Sequence, residues 1–142
     1  MNDTVSAPLV EEELTRLIIG AFFRVYNTLG FGFLEHVYAA ALEKELLGLD
    51  LRVARECRVG IYYDGMELCQ QRLDFVVNEK VVVEIKSTTD LHKTAPRQLL
   101  NYLRATNLEV GLLLHFGPEA KFYRLYAANC TKTHRYNRPS SV

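Results

Sequence analysis

Residues 52–86 alternate between apolar and polar side chains and are interrupted at two points by short polar breaks. Alternation with a period of two is typical of β-strands, because successive side chains point to opposite faces of a sheet. Asp64-Gly65 is a dipeptide that tight hairpin turns favour, and Asn78-Glu79-Lys80 forms the second break. The pattern predicts three strands joined as an antiparallel meander, at residues 52–63, 66–77 and 81–86.

Two helices are predicted before this meander. Residues 9–29 carry apolar side chains at three- and four-residue steps, and Gly30 and Gly32 end this helix. A second helix covers residues 34–47, with Gly48 as its stop. The predicted inward stripe of the second helix consists of Leu34, Tyr38, Ala41, Leu42 and either Glu45 or Leu46.

A helix and two strands are predicted after the meander. Pro96 suits the first turn of a third helix, which ends near Thr106. The almost continuous apolar run at residues 108–116 indicates a strand buried on both faces, and residues 121–126 form a last edge strand. The order α-α-β-β-β-α-β-β predicts an α/β fold with a mixed sheet and helices packed against it.

The length of 142 residues suits a single domain with one core. We place this domain at residues 9–126, between tails at residues 1–8 and 127–142. The second tail is basic, but tails of this kind are more often idle than bound to nucleic acid. Its basic side chains are Lys132, Arg135 and Arg138.

Charge and cysteine content narrow the class of protein. Lys and Arg number 17, as do Asp and Glu, so no net charge pulls the whole surface toward a polyanion, although one local patch can still touch nucleic acid. Three scattered cysteines without a CxxC pair argue against a disulfide framework and a structural zinc site.

The N-terminus lacks a signal-peptide pattern and no apolar run approaches about 20 residues, so we expect a cytoplasmic protein without a membrane partner.

The register of the meander decides whether two of its acidic residues meet. If the second turn has three residues, Val77 pairs with Val81, and Asp74 lies directly opposite Glu84 on one face. A two-residue turn would instead direct the two carboxylates to opposite faces. Glu84 and Lys86 share a face in either case, because they are two residues apart on one strand.

Two carboxylates that face each other repel, so a shared and partly buried position needs a counter-charge. A divalent cation with oxygen ligands supplies one, and Lys86 beside it would stabilise negative charge on a phosphate or position a water molecule. Phosphodiester hydrolysis requires this combination. The competing interpretation is that Asp74, Glu84 and Lys86 form the exposed polar face of an ordinary strand.

Side chains of the second and third helices add to this pattern. Glu35 lies at the edge of the inward stripe, where a carboxylate needs a partner, although a glutamate also suits a helix start. Gln98 and Tyr102 are four residues apart and share a face, from which they would orient a metal ligand, a water or a phosphate. The simpler alternative places Tyr102 in the core and Gln98 at its boundary.

Five motifs follow one another along the chain and together carry a family resemblance. They are Gly32-Phe-Leu-Glu35-His-Val-Tyr38, Arg72-Leu-Asp74, Glu84-Ile-Lys86, the Gln-Leu-Leu-x-Tyr-Leu segment that starts at Gln98, and the Gly-Leu-Leu run that starts at Gly111. In these motifs the chain resembles the GxxExxY protein family, a branch of the PD-(D/E)XK nuclease superfamily. The likeness spans residues 14–126.

The resemblance implies an α-β-β-β-α-β core, here with an extra N-terminal helix, and a Mg²⁺ or Mn²⁺ cofactor. It implies that Glu35, Asp74 and Glu84 are metal ligands and that Lys86 assists the phosphate or the nucleophile. Gln98 and Tyr102 are similar to the QxxxY element of RecB-like exonucleases, which supports the active site.

Two positions depart from the family pattern. Ala95 stands where a histidine often precedes the glutamine, and His115 stands where an asparagine often precedes the final phenylalanine. The departures leave the acidic residues and the lysine intact, so the motifs contain no sign of a disabled site.

Two functions remain open from the sequence. The first is a metal-dependent nuclease, a hydrolase that acts on DNA or on RNA. The second is a non-catalytic module of nuclease fold that forms a homodimer or binds a larger protein through aromatic side chains. Candidate aromatic contacts are Tyr62, Tyr63, Phe122 and Tyr123, and the basic run Arg52, Arg55 and Arg58 is either a phosphate contact or, more simply, a solvated strand edge.

Overall fold

The computed structural model describes residues 9–132. The predicted order of helices and strands is confirmed within them. The helices are α1 (Glu12–Leu29), α2 (Glu35–Gly48) and α3 (Ala95–Arg104). The strands are β1 (Val53–Tyr63), β2 (Met66–Val77), β3 (Val81–Lys86), β4 (Val110–Phe116) and β5 (Ala120–Tyr126), and a short 3₁₀ turn, Asn129–Thr131, follows them.

The five strands form one mixed sheet in the order β1-β2-β3-β4-β5. Antiparallel hairpins join β1 to β2, β2 to β3 and β4 to β5, whereas β3 and β4 are parallel. The segment that contains α3 makes the crossover between the two parallel strands, which a short turn could not do. The predicted α/β class with a mixed sheet is therefore confirmed.

Helices cover the sheet on both sides. One cluster joins α1 and α2 to the sheet, and in it the Tyr38 and Phe116 rings stack with centroids 4.2 Å apart. The second cluster joins α3 to Leu73 and Val82. Because both faces are covered, β4 is buried along its whole length, as its apolar run predicts.

The inward stripe of α2 differs from its prediction at one end. Tyr38 and Leu42 are fully buried, as predicted, and of the two alternatives Glu45 and Leu46 it is Leu46 that is fully buried, but Leu34 is 70% exposed. Leu34 precedes the helix and has an extended backbone, with φ −69° and ψ 157°. The prediction that it faces inward is wrong because helical periodicity does not apply to a residue outside the helix.

β1 and β2 extend beyond the rest of the sheet. They pair from Val53 opposite Val77 to Tyr63 opposite Met66, whereas β2 pairs with β3 only at residues 75–77. The far part of this hairpin is a two-stranded arm, and every residue from 63 to 70 is exposed. The sheet therefore opens between β2 and β3 at the position just before Phe75.

The segment after β5 is anchored at its start. The Lys132 ammonium group donates hydrogen bonds to the carbonyl oxygens of Thr106 (2.7 Å) and Leu108 (2.9 Å). The Asn129 N–H donates to the Glu109 carboxylate at 2.7 Å. Residues 127–132 thus pack against the connection between α3 and β4. Arg135 and Arg138 of the predicted basic tail lie outside the described residues.

The structure also describes the cysteines and the apolar character of the helices. The cysteines Cys57, Cys69 and Cys130 are free thiols. Within residues 9–132, no helix combines the length and the apolar character that crossing a bilayer needs.

Candidate active site

The turn between β2 and β3 has three residues, because Val77 pairs with Val81. This register brings Asp74 and Glu84 opposite each other. At this position the two side chains accept the main-chain N–H groups that would otherwise pair with the backbone of the neighbouring strand. The Asp74 N–H donates to Glu84 Oε2 (2.9 Å), and the Ile85 N–H donates to Asp74 Oδ2 (2.8 Å). The predicted meeting of the two acids is confirmed, and main-chain donors fix both carboxylates.

The backbone is distorted around this acidic pair. Glu56, which lies across from Asp74 on β1, has a φ of 53°. Leu73 packs in the α3 cluster, whereas Phe75 packs in the cluster of α1 and α2. Strict alternation would place Leu73 and Phe75 on one face, but they pack in different clusters, so the alternation breaks at Asp74, where β2 also parts from β3.

Burial raises the pKa of both carboxyl groups in the pair. Glu84 is 8% exposed, and loss of water, followed by the negative charge of Asp74, raises its pKa to about 8. Loss of water also raises the pKa of Asp74, while the Ile85 N–H and the Lys86 charge oppose the rise. The two groups therefore repel each other when both are ionised, and the surrounding cations compensate for this only in part.

Glu35 is the first residue of α2, and a well-defined loop places it. Gly30 and Gly32 have φ values of 72° and 117°, which residues with a Cβ rarely adopt. The buried Tyr38 hydroxyl donates to the Gly30 carbonyl and accepts the Phe33 N–H at 3.3 Å. The glycines therefore shape the loop and Tyr38 holds it, so that Glu35 follows at a fixed position.

Glu35 shares the electrostatic environment of the acidic pair. Loss of water and then the Asp74 charge raise its pKa, whereas the Lys86 charge and the Ser87 N–H lower it. The Ser87 hydroxyl donates to the Phe33 carbonyl at 2.6 Å, which ties the end of β3 to the loop before α2. Although most of Glu35 is exposed, its carboxylate thus belongs to the same site.

Lys86 is half-buried at the end of β3, and its charge lowers the pKa of all three carboxyl groups. In the parallel ladder it lies beside His115, whose Nε2 is 2.7 Å from the Thr88 carbonyl oxygen. That contact holds the loop that follows Lys86. The structure therefore brings together four predicted site residues, Glu35, Asp74, Glu84 and Lys86.

The two predicted site residues of α3 have different positions. Tyr102 is 9% exposed, and its hydroxyl donates to the Gln71 side chain at 3.3 Å. Loss of water, followed by the charges of Glu84 and Asp74, raises the Tyr102 pKa, so Tyr102 lies within electrostatic reach of the acids. Gln98 is exposed and makes no side-chain hydrogen bond to another residue in the described part of the chain.

A cleft of about 440 Å³ opens beside the acids, and two arginines line it together with Glu35 and Asp74. Arg55 is half-buried, pairs with Glu43 at 2.8 Å, and lies 4.9 Å from the centre of the Phe75 ring. The interpretation of Arg55 as part of a solvated strand edge is therefore wrong. Its position depends on the packing of α2 against β1, for which the sequence contains no direct signal.

Arg72 is the second arginine of the cleft. It is 62% exposed, and its ion pair with Glu56 is long, at 3.6 Å. The charges of Arg72 and Arg55 both lower the pKa of Asp74. Arg72 lies beside Asp74 in the Arg72-Leu-Asp74 motif, and a cation so near a candidate acid is a sequence signal that could have identified it.

Comparison with known proteins identifies the family. A family model of the PD-(D/E)XK nuclease superfamily matches residues 12–125. The chain belongs to the PD-(D/E)XK nuclease superfamily. No curated protein matches it significantly. The crystal structure of SSO0001 resembles it over 83% of this chain, with 24% sequence identity and a TM-score of 0.50, and this chain spans 59% of the length of SSO0001. That likeness concerns the fold alone.

Nucleases of the PD-(D/E)XK superfamily generally use divalent metals. Among residues 9–132, no three His, Cys, Asp or Glu side chains are grouped closely enough to form a ready-made metal centre. The chemistry of the donors nevertheless fits a hard cation, because Glu35, Asp74 and Glu84 supply carboxylate oxygens and all three have raised pKa values. A divalent cation bound here would balance the negative charges of the three carboxylates.

Proposed function

We propose that this chain is a divalent-metal-dependent nuclease that hydrolyses phosphodiester bonds of DNA, with RNA as the alternative substrate. The observation that carries the proposal is the interlocked pair of Asp74 and Glu84, held opposite each other by main-chain donors beside Glu35 and Lys86. The repulsion between the two ionised acids offsets part of the stability that these hydrogen bonds contribute to the fold. Acids held in this way suit a site whose positive charge comes with its cofactor and substrate.

In the proposed site, Glu35, Asp74 and Glu84 hold Mg²⁺ or Mn²⁺. The bound cation supplies Lewis-acid polarisation of the phosphate and activation of water. The carboxylates come from three elements, α2, β2 and β3, so the fold itself has to be intact for the site to form. This ligand set also agrees with the proposed place of the chain in the GxxExxY branch of the superfamily.

Lys86 and the residues of α3 have supporting roles in the proposal. The Lys86 ammonium group would donate hydrogen bonds to a phosphate oxygen and stabilise the negative charge that builds up during hydrolysis. Tyr102, which lies near the acids, would help to position the substrate or a ligand, with Gln98 beside it on the same helix face.

Cleavage assays test the proposal directly. Labelled single-stranded DNA, duplex DNA and RNA are incubated with the full-length chain in Mg²⁺, in Mn²⁺ and in excess chelator. Asp74→Asn keeps an oxygen that can accept the Ile85 N–H, so it removes the charge with little change of shape. Asp50→Asn is the matched control, because Asp50 is exposed at the far end of α2 and has a φ of 61°, which asparagine tolerates.

We expect metal-dependent cleavage of at least one of these substrates that Asp74→Asn abolishes and Asp50→Asn retains. Cleavage that persists in chelator, or that survives Asp74→Asn, would contradict the proposed site. Metal binding without cleavage of any substrate would instead favour the non-catalytic nuclease-fold module.

A further inference from the structure

Three large apolar side chains are exposed on the loop that leads into the candidate active site. Phe31 and Phe33 are each 45% exposed, and Leu34 is 70% exposed. We call these three residues the loop platform. Exposed apolar residues that occur singly are ordinary on protein surfaces, but three within four positions beside a cleft indicate a contact surface.

The loop platform is held in place and is not a loose segment. Gly30 and Gly32 provide its positive φ values, and the Tyr38 hydroxyl bridges the Gly30 carbonyl and the Phe33 N–H. The Phe33 ring meets the Tyr38 ring edge-on, with centroids 6.1 Å apart. Since the backbone is fixed, little entropy is lost when a ligand binds to these side chains.

The loop platform adjoins the site on two sides. The Phe33 carbonyl accepts a hydrogen bond from the hydroxyl of Ser87, which directly follows Lys86. Leu34 lines the cleft together with Arg55 and Arg72. Leu34, the two guanidinium groups and the carboxylates of Glu35 and Asp74 therefore line one cleft, and Phe31 and Phe33 precede Leu34 on the loop at its edge.

Combined aromatic and cationic groups of this kind suit a nucleotide whose base is unpaired. Aromatic side chains stack on base faces, and arginines contact the phosphates between them. The bases of a duplex cover one another, so they offer no free face to Phe31 or Phe33. The cleft volume of about 440 Å³ also lies in the range typical of small-ligand sites.

We infer that the loop platform stacks against bases of single-stranded nucleic acid, and that Arg72 contacts the backbone of the same strand. Arg72 is suited to this because its side chain is 62% exposed and its ion pair with Glu56 is long. This inference rests on the proposed function and narrows its substrate to strands, ends or flaps with unpaired bases.

Binding without turnover separates this inference from the proposed function. The full-length chain with Asp74→Asn is mixed with fluorescein-labelled 15-nucleotide oligothymidylate, with oligouridylate, or with a duplex of the same length, and anisotropy is recorded. The two single strands distinguish DNA from RNA. Because the Asp74→Asn variant is not expected to cleave, the affinities are valid whether or not the wild type proves to be a nuclease.

Phe33→Ala and Phe31→Ala are made in this background, and Phe122→Ala is the matched control. Phe122 lies on β5, is 41% exposed and meets the Phe23 ring edge-on at 6.1 Å, so its exposure and ring contact match those of Phe33. We expect each loop substitution to weaken single-strand binding by about tenfold, whereas Phe122→Ala leaves it unchanged. Arg72→Ala should weaken binding and reduce its dependence on salt.

A second readout detects stacking itself. The chain contains no tryptophan, so Phe33→Trp introduces a single tryptophan at the loop platform, which can be excited selectively over the tyrosines. We expect its emission to be quenched by the oligonucleotide while affinity is retained, and we expect no quenching at Phe122→Trp.

Three outcomes would overturn the inference. The first is duplex binding as tight as single-strand binding, and the second is a single-strand affinity that Phe31→Ala and Phe33→Ala do not change. The third is a dimer in sedimentation that the same two substitutions dissociate without loss of nucleic-acid binding, which would make the loop platform a protein interface.

Discussion

The side chains of Asp74 and Glu84 each accept a hydrogen bond from the main chain of the opposite strand. The Asp74 N–H donates to the Glu84 carboxylate at 2.9 Å, and the Ile85 N–H donates to the Asp74 carboxylate at 2.8 Å. The two acids replace one step of the ladder between β2 and β3. They cannot move apart to relieve their repulsion without loss of these bonds. When both acids are ionised, the site therefore holds negative charge at a cost in stability until a cation balances it.

The raised pKa of Glu84 predicts how stability depends on pH without metal. Glu84 has a pKa of about 8 in the folded protein and 4.5 as its ordinary value, so the folded chain binds more protons between these limits. The free energy of unfolding should therefore fall as pH rises from about 4.5 to 8. Thermal melts in chelator should show this fall for the wild type.

Glu84→Gln should flatten this profile, because the amide stays neutral and its oxygen can still accept the Asp74 N–H. At pH 8.5 we expect this variant to melt roughly 5 °C above the wild type. Glu119→Gln is the control, since the Glu119 side chain is 80% exposed. A wild type that becomes more stable between pH 5 and 8 would contradict the assignment of a raised pKa to Glu84.

Lys86→Ala should separate catalysis from metal binding. In the proposed site, loss of the ammonium group that would face the phosphate should slow cleavage by about 100-fold or more, while the carboxylates that would bind the metal remain. Rates and metal affinity are compared with those of Lys80→Ala, whose side chain is 60% exposed at the opposite end of β3. Equal rates for the two variants would remove Lys86 from the mechanism.

Tyr38→Phe tests the link between the loop and Glu35. The variant loses the hydroxyl that bridges Gly30 and Phe33, which should cost about 1–2 kcal/mol of stability and loosen the loop before α2. Tyr26→Phe is the matched control, because the Tyr26 hydroxyl donates to the Gly117 and Pro118 carbonyl oxygens. Both variants should lower the melting temperature, but only Tyr38→Phe should also weaken metal binding.

The acidic pair could be predicted from the sequence because short-range signals determine it. The polar break at residues 78–80 sets the length of the turn, and the turn sets which residues of β2 and β3 face each other. For Glu35, the sequence pattern predicts only its place on the second helix, at the edge of the inward stripe. Its approach to the acids depends on Tyr38 and on the bond between Ser87 and Phe33, which join distant parts of the chain.

Other features of the site depend on tertiary packing and could not be read from periodicity. Leu73 and Phe75 belong to different clusters, so the regular alternation of β2 fails at Asp74, where the strand parts from β3 and the site forms. Arg55 reaches the cleft through its pair with Glu43 of α2. Leu34 is exposed because the loop, and not the helix, determines its direction.

A calorimetric titration with Mn²⁺ at pH 8.5 tests the central claim most directly. At this pH the carboxyl groups are largely ionised, so protons compete least with the metal. We predict saturable binding to the wild type and to Asp50→Asn, and its loss in Asp74→Asn, with all three proteins folded by circular dichroism. A folded wild type that binds no Mn²⁺, or an Asp74→Asn variant that binds as tightly as the wild type, would contradict the claim that these acids form a metal site.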